Sequence, residues 1–156
     1  MEASAVTGSH IVSIGRKPVV ARRAVATGSL LLSKEAVVAI RERKLEKGDA
    51  IAAAEVAGLA ALKRTPDLLP FCHPIRLTGS ELRIEPADDR VHATCVVEAE
   101  DRTGVEMEAL VGVTTALLAV WDMVKSLEKD AAGQYPRARI TDVRVVSKEK
   151  SPPAEG

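Results

Sequence analysis

"SELRIEPADDRVHATCVVEAE" (Ser80–Glu100) decides the fold. Leu82 and Ile84 alternate with Arg83 and Glu85; Val91, Ala93, Cys95 and Val97 alternate with His92, Thr94 and Val96. A period of two places one set of side chains on one face of a pleated strand. "PADD" (86–89) sits between the runs as a turn, so the stretch predicts a hairpin of two half-buried strands.

The period changes downstream. From about Gly104 to Asp130 the apolar residues recur at helical spacing, and "ARITDVRVVSK" (138–148) returns to a strand. Upstream, "PVVARRAVATGSLLL" (18–32) reads as a strand. Ser33 caps a helix that runs to about Lys44, with Glu35 in its first turn. "EKGD" (46–49) breaks the chain, and Asp49 caps a second helix that stops before Pro66. The order β-α-α-β-β-α-β predicts an α+β fold, a ferredoxin-like split βαβ sandwich with an additional helix. Residues 1–17 read as a flexible N-terminal segment, 18–148 as the domain and 149–156, "EKSPPAEG", as a disordered tail.

Composition narrows the function. The 156 residues hold 22 Lys plus Arg and 22 Asp plus Glu, so the chain lacks the basic footprint of a nucleic-acid binder. Aromatic side chains are 2% of the chain, namely Phe71, Trp121 and Tyr135, too few for a base-stacking sheet. A neutral chain also does little to resist self-association. Cys72 and Cys95 make no disulfide framework, and no signal peptide opens the chain. The longest uncharged run in the long helix, Ala109–Trp121, falls short of the ~18 residues a membrane span takes. These points predict a cytoplasmic protein without a membrane partner.

The long helix is the informative element. Thr103 and Glu106 fit a T-x-x-E capping box, which gives Glu106 a structural role beside any chemical one. At about 100° per residue, Leu110, Val113, Leu117, Val120, Val124 and Leu127 form one apolar stripe. Gly112, Ala116 and Ala119 form a second stripe, small enough to admit another backbone. The third face carries Glu108, Val111, Thr115, Leu118, Asp122 and Lys125. A helix apolar almost all round is buried, and one chain of this size predicts an oligomer to bury it. Asp122 and Lys125 are then either an ordinary i, i+3 pair or the charged part of a site. Glu108 and Asp122 lie ~21 Å apart along the axis, so a site using both is extended or shared between subunits.

"LLPFCHPIRLTG" (68–79) sets Cys72 and His73 between Pro70 and Pro74. Adjacent residues of an extended segment point to opposite sides, and only His10 and His92 remain as further histidines, so zinc is not supported. A cysteine nucleophile needs a base, for which His92 is the weak candidate. The two prolines stiffen the loop, which suits a binding wall or a plain connection equally. No phosphate-loop or dinucleotide fingerprint is present.

"GDAIAAAEVAGLAALKRTPDLLPFCHPIRLTG" and "TGVEMEALVGVTTALLAVWDMVKSLEKD" together resemble the molybdenum cofactor biosynthesis protein C family, cyclic pyranopterin monophosphate synthase. The resemblance covers about residues 18–148 and rests on "CHP", "GVEMEAL" and "DM-x-K" in combination. It implies a homohexamer, a trimer of dimers, with active sites at subunit interfaces. It implies a lyase that converts a cyclised dihydro-GTP to cyclic pyranopterin monophosphate and pyrophosphate. No resident cofactor is implied, though Mg²⁺ can accompany the triphosphate.

Carried over by position, Asp122, Lys125 and Lys47 fall on catalytic positions. Phe71, Cys72 and His73 fall on the substrate loop, and Met107 and Glu108, with Glu106 beside them, on a second binding segment. Lys63 and Lys148 match further basic residues of the site. A triphosphate needs converging cations, and ring opening and closure need proton transfers that Asp122 and Lys125 can share. A lysine among other cations is expected to have a lowered pKa. Two departures stand out: "KEKSPPAEG" replaces a glycine- and lysine-rich end, and Ser13 in "IVSI" replaces an acid. They leave a second reading, a diverged, non-catalytic nucleotide- or pterin-binding oligomer.

Overall fold

The computed structural model describes residues 8–153. Strands β1 (Val20–Leu31), β2 (Leu77–Pro86), β3 (Arg90–Asp101) and β4 (Arg139–Ser151) form one antiparallel sheet in the order β2-β3-β1-β4. Helices α1 (Lys34–Arg41), α2 (Ala50–Leu62) and α3 (Thr65–Leu68) connect β1 to β2, and α4 (Glu106–Glu128) connects β3 to β4. This α+β arrangement is compatible with the expected ferredoxin-like sandwich. The expected additional helix is present, since both α1 and α2 lie between β1 and β2, and the structure adds α3, a four-residue turn with Pro66 at its start, where proline costs no helical hydrogen bond.

Alternation in the hairpin becomes burial on one face. Leu82, Ile84, Val91, Ala93, Cys95 and Val97 are buried beneath the helices, while Arg83, Glu85 and His92 are exposed. β1 contributes small residues, Ala24, Ala26 and Gly28, so that α4 can rest on it. A Cβ on Gly28 would stand 2.9 Å from Val113 Cγ1 and 3.2 Å from Leu117 Cδ1. α4 packs across β1, β3 and β4, and α2 lies beside it over β2. By length and composition α4 is apolar enough to cross a membrane; here it is the central core helix.

The small-residue stripe receives α2. A Cβ on Gly58 would stand 2.7 Å from the Gly112 carbonyl oxygen and 3.2 Å from Ala116 Cβ. Backbone therefore meets backbone at this crossing. On the third face of α4, Glu108 is buried, Val111, Thr115 and Lys125 are half-buried, and Leu118 and Asp122 are exposed within one chain, Leu118 at 56%.

Both predicted caps form. Ser33 Oγ accepts from Ala36 N at 3.1 Å, and Asp49 Oδ1 accepts from Ile51 N and Ala52 N at 3.0 and 3.1 Å. Ser33 also donates, through N–H and Oγ–H, to Glu128 Oε1 at 2.7 Å each. The buried Glu128 thus ties the end of α4 to the start of α1.

Two expectations change. The capping box at Thr103 and Glu106 does not form: Val105 is the N-cap of α4, so Glu106 stands at the first helical position rather than the third. Its carboxylate pairs with Lys148 instead, at 3.0 Å. β4 runs through Ser151, three residues into the expected disordered tail, because β1 supplies partners as far as Ala21 opposite Ser151. Residues 8–19 carry no helix or strand; residues 1–7 and 154–156 of the expected flexible ends lie outside the described residues.

A Cβ on Gly58 would collide with Leu82 Cδ2, a side-chain end that can move, and with the Gly112 backbone oxygen, which cannot, so Gly58→Ala must separate the two helices. We expect a loss of about 1–3 kcal/mol, read as a lowered urea midpoint with an unchanged slope.

Candidate functional site

All the predicted residues but Lys63 gather into two clusters at opposite ends of α4. At the C-terminal end, Asp122 stands between two ammonium groups. Lys47 Nζ donates to Asp122 Oδ2 at 3.1 Å and to the Asp122 carbonyl oxygen at 3.3 Å. Lys125 Nζ lies 3.0 Å from Asp122 Oδ1. Lys47 reaches this position from the turn before α2, where Gly48 takes φ +111° and reverses the chain.

The electrostatics of this cluster correct one expectation. Hydrogen bonds from Lys125 and then Lys47 hold the Asp122 carboxyl below the usual carboxylate range. Asp122 in turn raises the Lys125 pKa, so this lysine is not tuned down towards neutrality. Its nearest charged neighbour is an anion rather than another cation, and it stays in water's reach. As it stands, Lys125 is a cation and a proton donor, and Asp122 is a fixed anion.

At the N-terminal end of α4, a cavity of about 240 Å³ is lined by Phe71, Cys72 and His73 on one side and Glu106, Met107 and Glu108 on the other. The proline-braced loop is pinned at its far end, where Arg76 N donates to Asp101 Oδ2 at 2.9 Å. Cys72 N donates to Leu69 O at 2.9 Å, closing a tight turn that presents the adjacent side chains. Glu108 is only 4% exposed. Its Oε2, like Glu106 Oε2, is buried and has no hydrogen-bond partner among the described residues. Burial pushes the Glu108 carboxyl up to about 7, with the Glu106 and Asp101 charges adding to the effect. The Cys72 thiol is raised by partial burial, then by Glu108 and Glu106. A thiol held in its protonated form is a poor nucleophile, so Cys72 reads as part of the wall.

Other candidates fall into place around these clusters. Lys148, from β4, joins the second one through Glu106. Lys63 caps the exposed end of α2 and joins neither cluster. His92 Nδ1 lies 2.8 Å from Ser29 Oγ, on the exposed side of the sheet, and is no base for Cys72. No group of three or more metal-ligating side chains stands together among the described residues. Larger concavities, about 740 Å³ beside Ser33 and about 760 Å³ beside Pro152, hold none of the candidate residues.

Six lining residues were not predicted: Val12, Ile14, Lys17, Ile75, Thr103 and Gly104. Thr103 and Gly104 adjoin the "VEMEAL" segment and were within reach of sequence reasoning; nothing in the sequence singles out Lys17. The two clusters remain ~21 Å apart along the axis of α4, and among the described residues no side chain bridges them.

Similarity to known proteins extends over nearly the whole chain. The MoaC family profile matches residues 11–151. A Pyrococcus abyssi protein named "Probable cyclic pyranopterin monophosphate synthase" is 55% identical over 144 residues, 92% of this chain and 91% of its own. A Sulfolobus acidocaldarius protein of the same name is 49% identical over 141 residues, 90% of this chain and 99% of its own. A Methanothermobacter thermautotrophicus protein, 49% identical over 92% of this chain and 90% of its own, is named "Probable cyclic pyranopterin monophosphate synthase accessory protein".

Glu108 yields a signed pH prediction. Its carboxyl moves from 4.5 to about 7 on folding. A raised carboxyl favours the folded state fully below the lower value, and that contribution is lost as pH climbs towards the upper one. Glu108→Gln should therefore leave stability near pH 4 almost unchanged and raise it at pH 8 by on the order of 2 kcal/mol. Thermal unfolding at both pH values checks this.

Proposed function

The chain belongs to the MoaC family, and from that membership we propose that it is a cyclic pyranopterin monophosphate synthase of molybdenum cofactor biosynthesis. Its substrate is then a cyclised dihydro-GTP, and its products are cyclic pyranopterin monophosphate and pyrophosphate. The observation that carries this reading is 49–55% identity, across at least nine-tenths of both chains, to proteins of that name.

The two clusters supply what such a reaction needs. A cyclic phosphate forms when a substrate hydroxyl oxygen bonds to the α-phosphorus and the bond to pyrophosphate breaks, which makes the enzyme a phosphorus–oxygen lyase. Negative charge then grows on the leaving group, and fixed cations stabilise it. Lys47 and Lys125 are such cations, held in place by Asp122. Lys125 can also give a proton to a departing nitrogen or oxygen and be reset through solvent. Glu108 titrates near neutrality, where a group exchanges protons in either direction. Phe71, Cys72, His73 and Met107 form the wall against which a fused ring can lie. Lys63 and Lys148 are further cations for the triphosphate, and Mg²⁺ travels with that substrate rather than with the protein.

We read the working form as the hexamer that the family resemblance implies. The uncovered apolar positions support it, Val56 on α2 at 69% exposure and Leu118 on α4 at 56%. A second copy at that face also offers a way to unite the two ends of α4. Both cysteines are free thiols, in keeping with a cytoplasmic setting.

Purified protein given the cyclised dihydro-GTP should form cyclic pyranopterin monophosphate. Asp122→Asn and Lys125→Ala should each lower turnover by about 10²-fold or more without changing oligomer size, read by product chromatography and light scattering. Wild-type-like turnover in either variant defeats the role given to this cluster. Binding of the substrate without product by the wild-type chain would instead establish the non-catalytic reading.

A further inference from the structure

We infer that Gly104 is a positioning residue: by carrying no side chain it lets the Lys148 ammonium reach the Glu106 carboxylate at the cavity of Cys72 and Glu108. Lys148 starts on β4, opposite Ala24 of β1, and its Nζ ends 3.0 Å from Glu106 Oε1. On the way its stem passes Gly104. A Cβ on Gly104 would collide with Glu106 Oε2 and would stand 2.9 Å from Lys148 Cε and 3.2 Å from Glu106 Cδ.

Backbone strain is not the reason for glycine here. The described glycines with positive φ are Gly8, Gly48 and Gly133, so any residue can adopt the backbone of Gly104. What excludes a side chain is the pair of charged groups itself. Both are the far ends of flexible side chains, unlike the backbone carbonyl that faces Gly58. A methyl group at 104 is therefore accommodated at little cost to folding, but only by moving Glu106 or Lys148. Moving either one parts a charge-assisted contact beside two carboxylate oxygens that have no other partner among the described residues. The placement of Lys148 follows from geometry; its consequence for turnover rests on the synthase reading above.

The test compares wild type, Gly104→Ala, Lys148→Ala and the double variant by steady-state kinetics, thermal midpoint and crystallography. Gly104→Ala should fold with a midpoint within a few degrees of wild type, with the Lys148–Glu106 pair broken in its crystal structure. Its kcat/KM should fall about 10- to 100-fold, mostly through KM. In the Lys148→Ala background, the same change should cost less than about 2-fold, since the group it displaces is gone. An intact pair in the Gly104→Ala structure overturns the inference. So does a loss of equal size in the Lys148→Ala background, or a Gly104→Ala chain that does not fold. If wild type itself shows no turnover, the synthase reading fails and the crystallographic arm alone decides the role of Gly104.

Discussion

The rest of the structure depends on the approach of α2 to α4 at Gly58 and Gly112. With no side chain on Gly58, the α2 backbone meets the Gly112 carbonyl oxygen, while Gly112 leaves room for Cys95 of β3 and Leu62 of α2, and α2 runs the opposite way along α4. That orientation has consequences at both ends. The turn before α2 delivers Lys47 to Asp122. The far end of α2 packs Leu62 against Gly112, and the chain beyond it enters the proline-braced loop that carries Cys72 and His73. One close contact thus sets the reach of two groups of functional side chains.

Helix α4 acts as a ruler with ends of opposite character. At its C-terminal end an ionised carboxylate is clasped by two lysines that remain near water. At its N-terminal end carboxyl groups are crowded into a small cavity, and burial makes one of them titrate near neutrality. The first environment suits phosphate groups and developing negative charge. The second offers unoccupied acceptor atoms and a proton that moves easily. A single substrate that uses both must meet them from different copies of the chain, because the helix itself keeps them ~21 Å apart.

Much of this was legible in local sequence. The period of two in the hairpin, the caps at Ser33 and Asp49, and the small-residue stripe on α4 all express short-range rules, and all appear as read. Two of the misreadings, at Glu106 and in the tail, share a cause, which is partners distant in sequence. Glu106 looked like half of a capping box, yet its partner is Lys148, 42 residues away on another strand. "KEKS" looked like tail, yet β1 pairs with it as far as Ser151. The Lys125 pKa was expected to be lowered by neighbouring cations, whereas Asp122, its i, i+3 partner as read, raises it. Charge and spacing can nominate residues, but only the packed helices show which charges face each other.

We propose one active site that joins the Asp122 cluster of one subunit to the Cys72–Glu108 cavity of another. Subunit mixing tests it most directly. Asp122→Asn and His73→Ala chains, each inactive alone, are unfolded together, refolded into mixed oligomers and assayed. A site shared between two chains predicts recovery of about a quarter of wild-type turnover, from pairings in which both contributed clusters are intact. Mixed oligomers of the correct size with no recovered activity would contradict the account and place both clusters' work within a single chain.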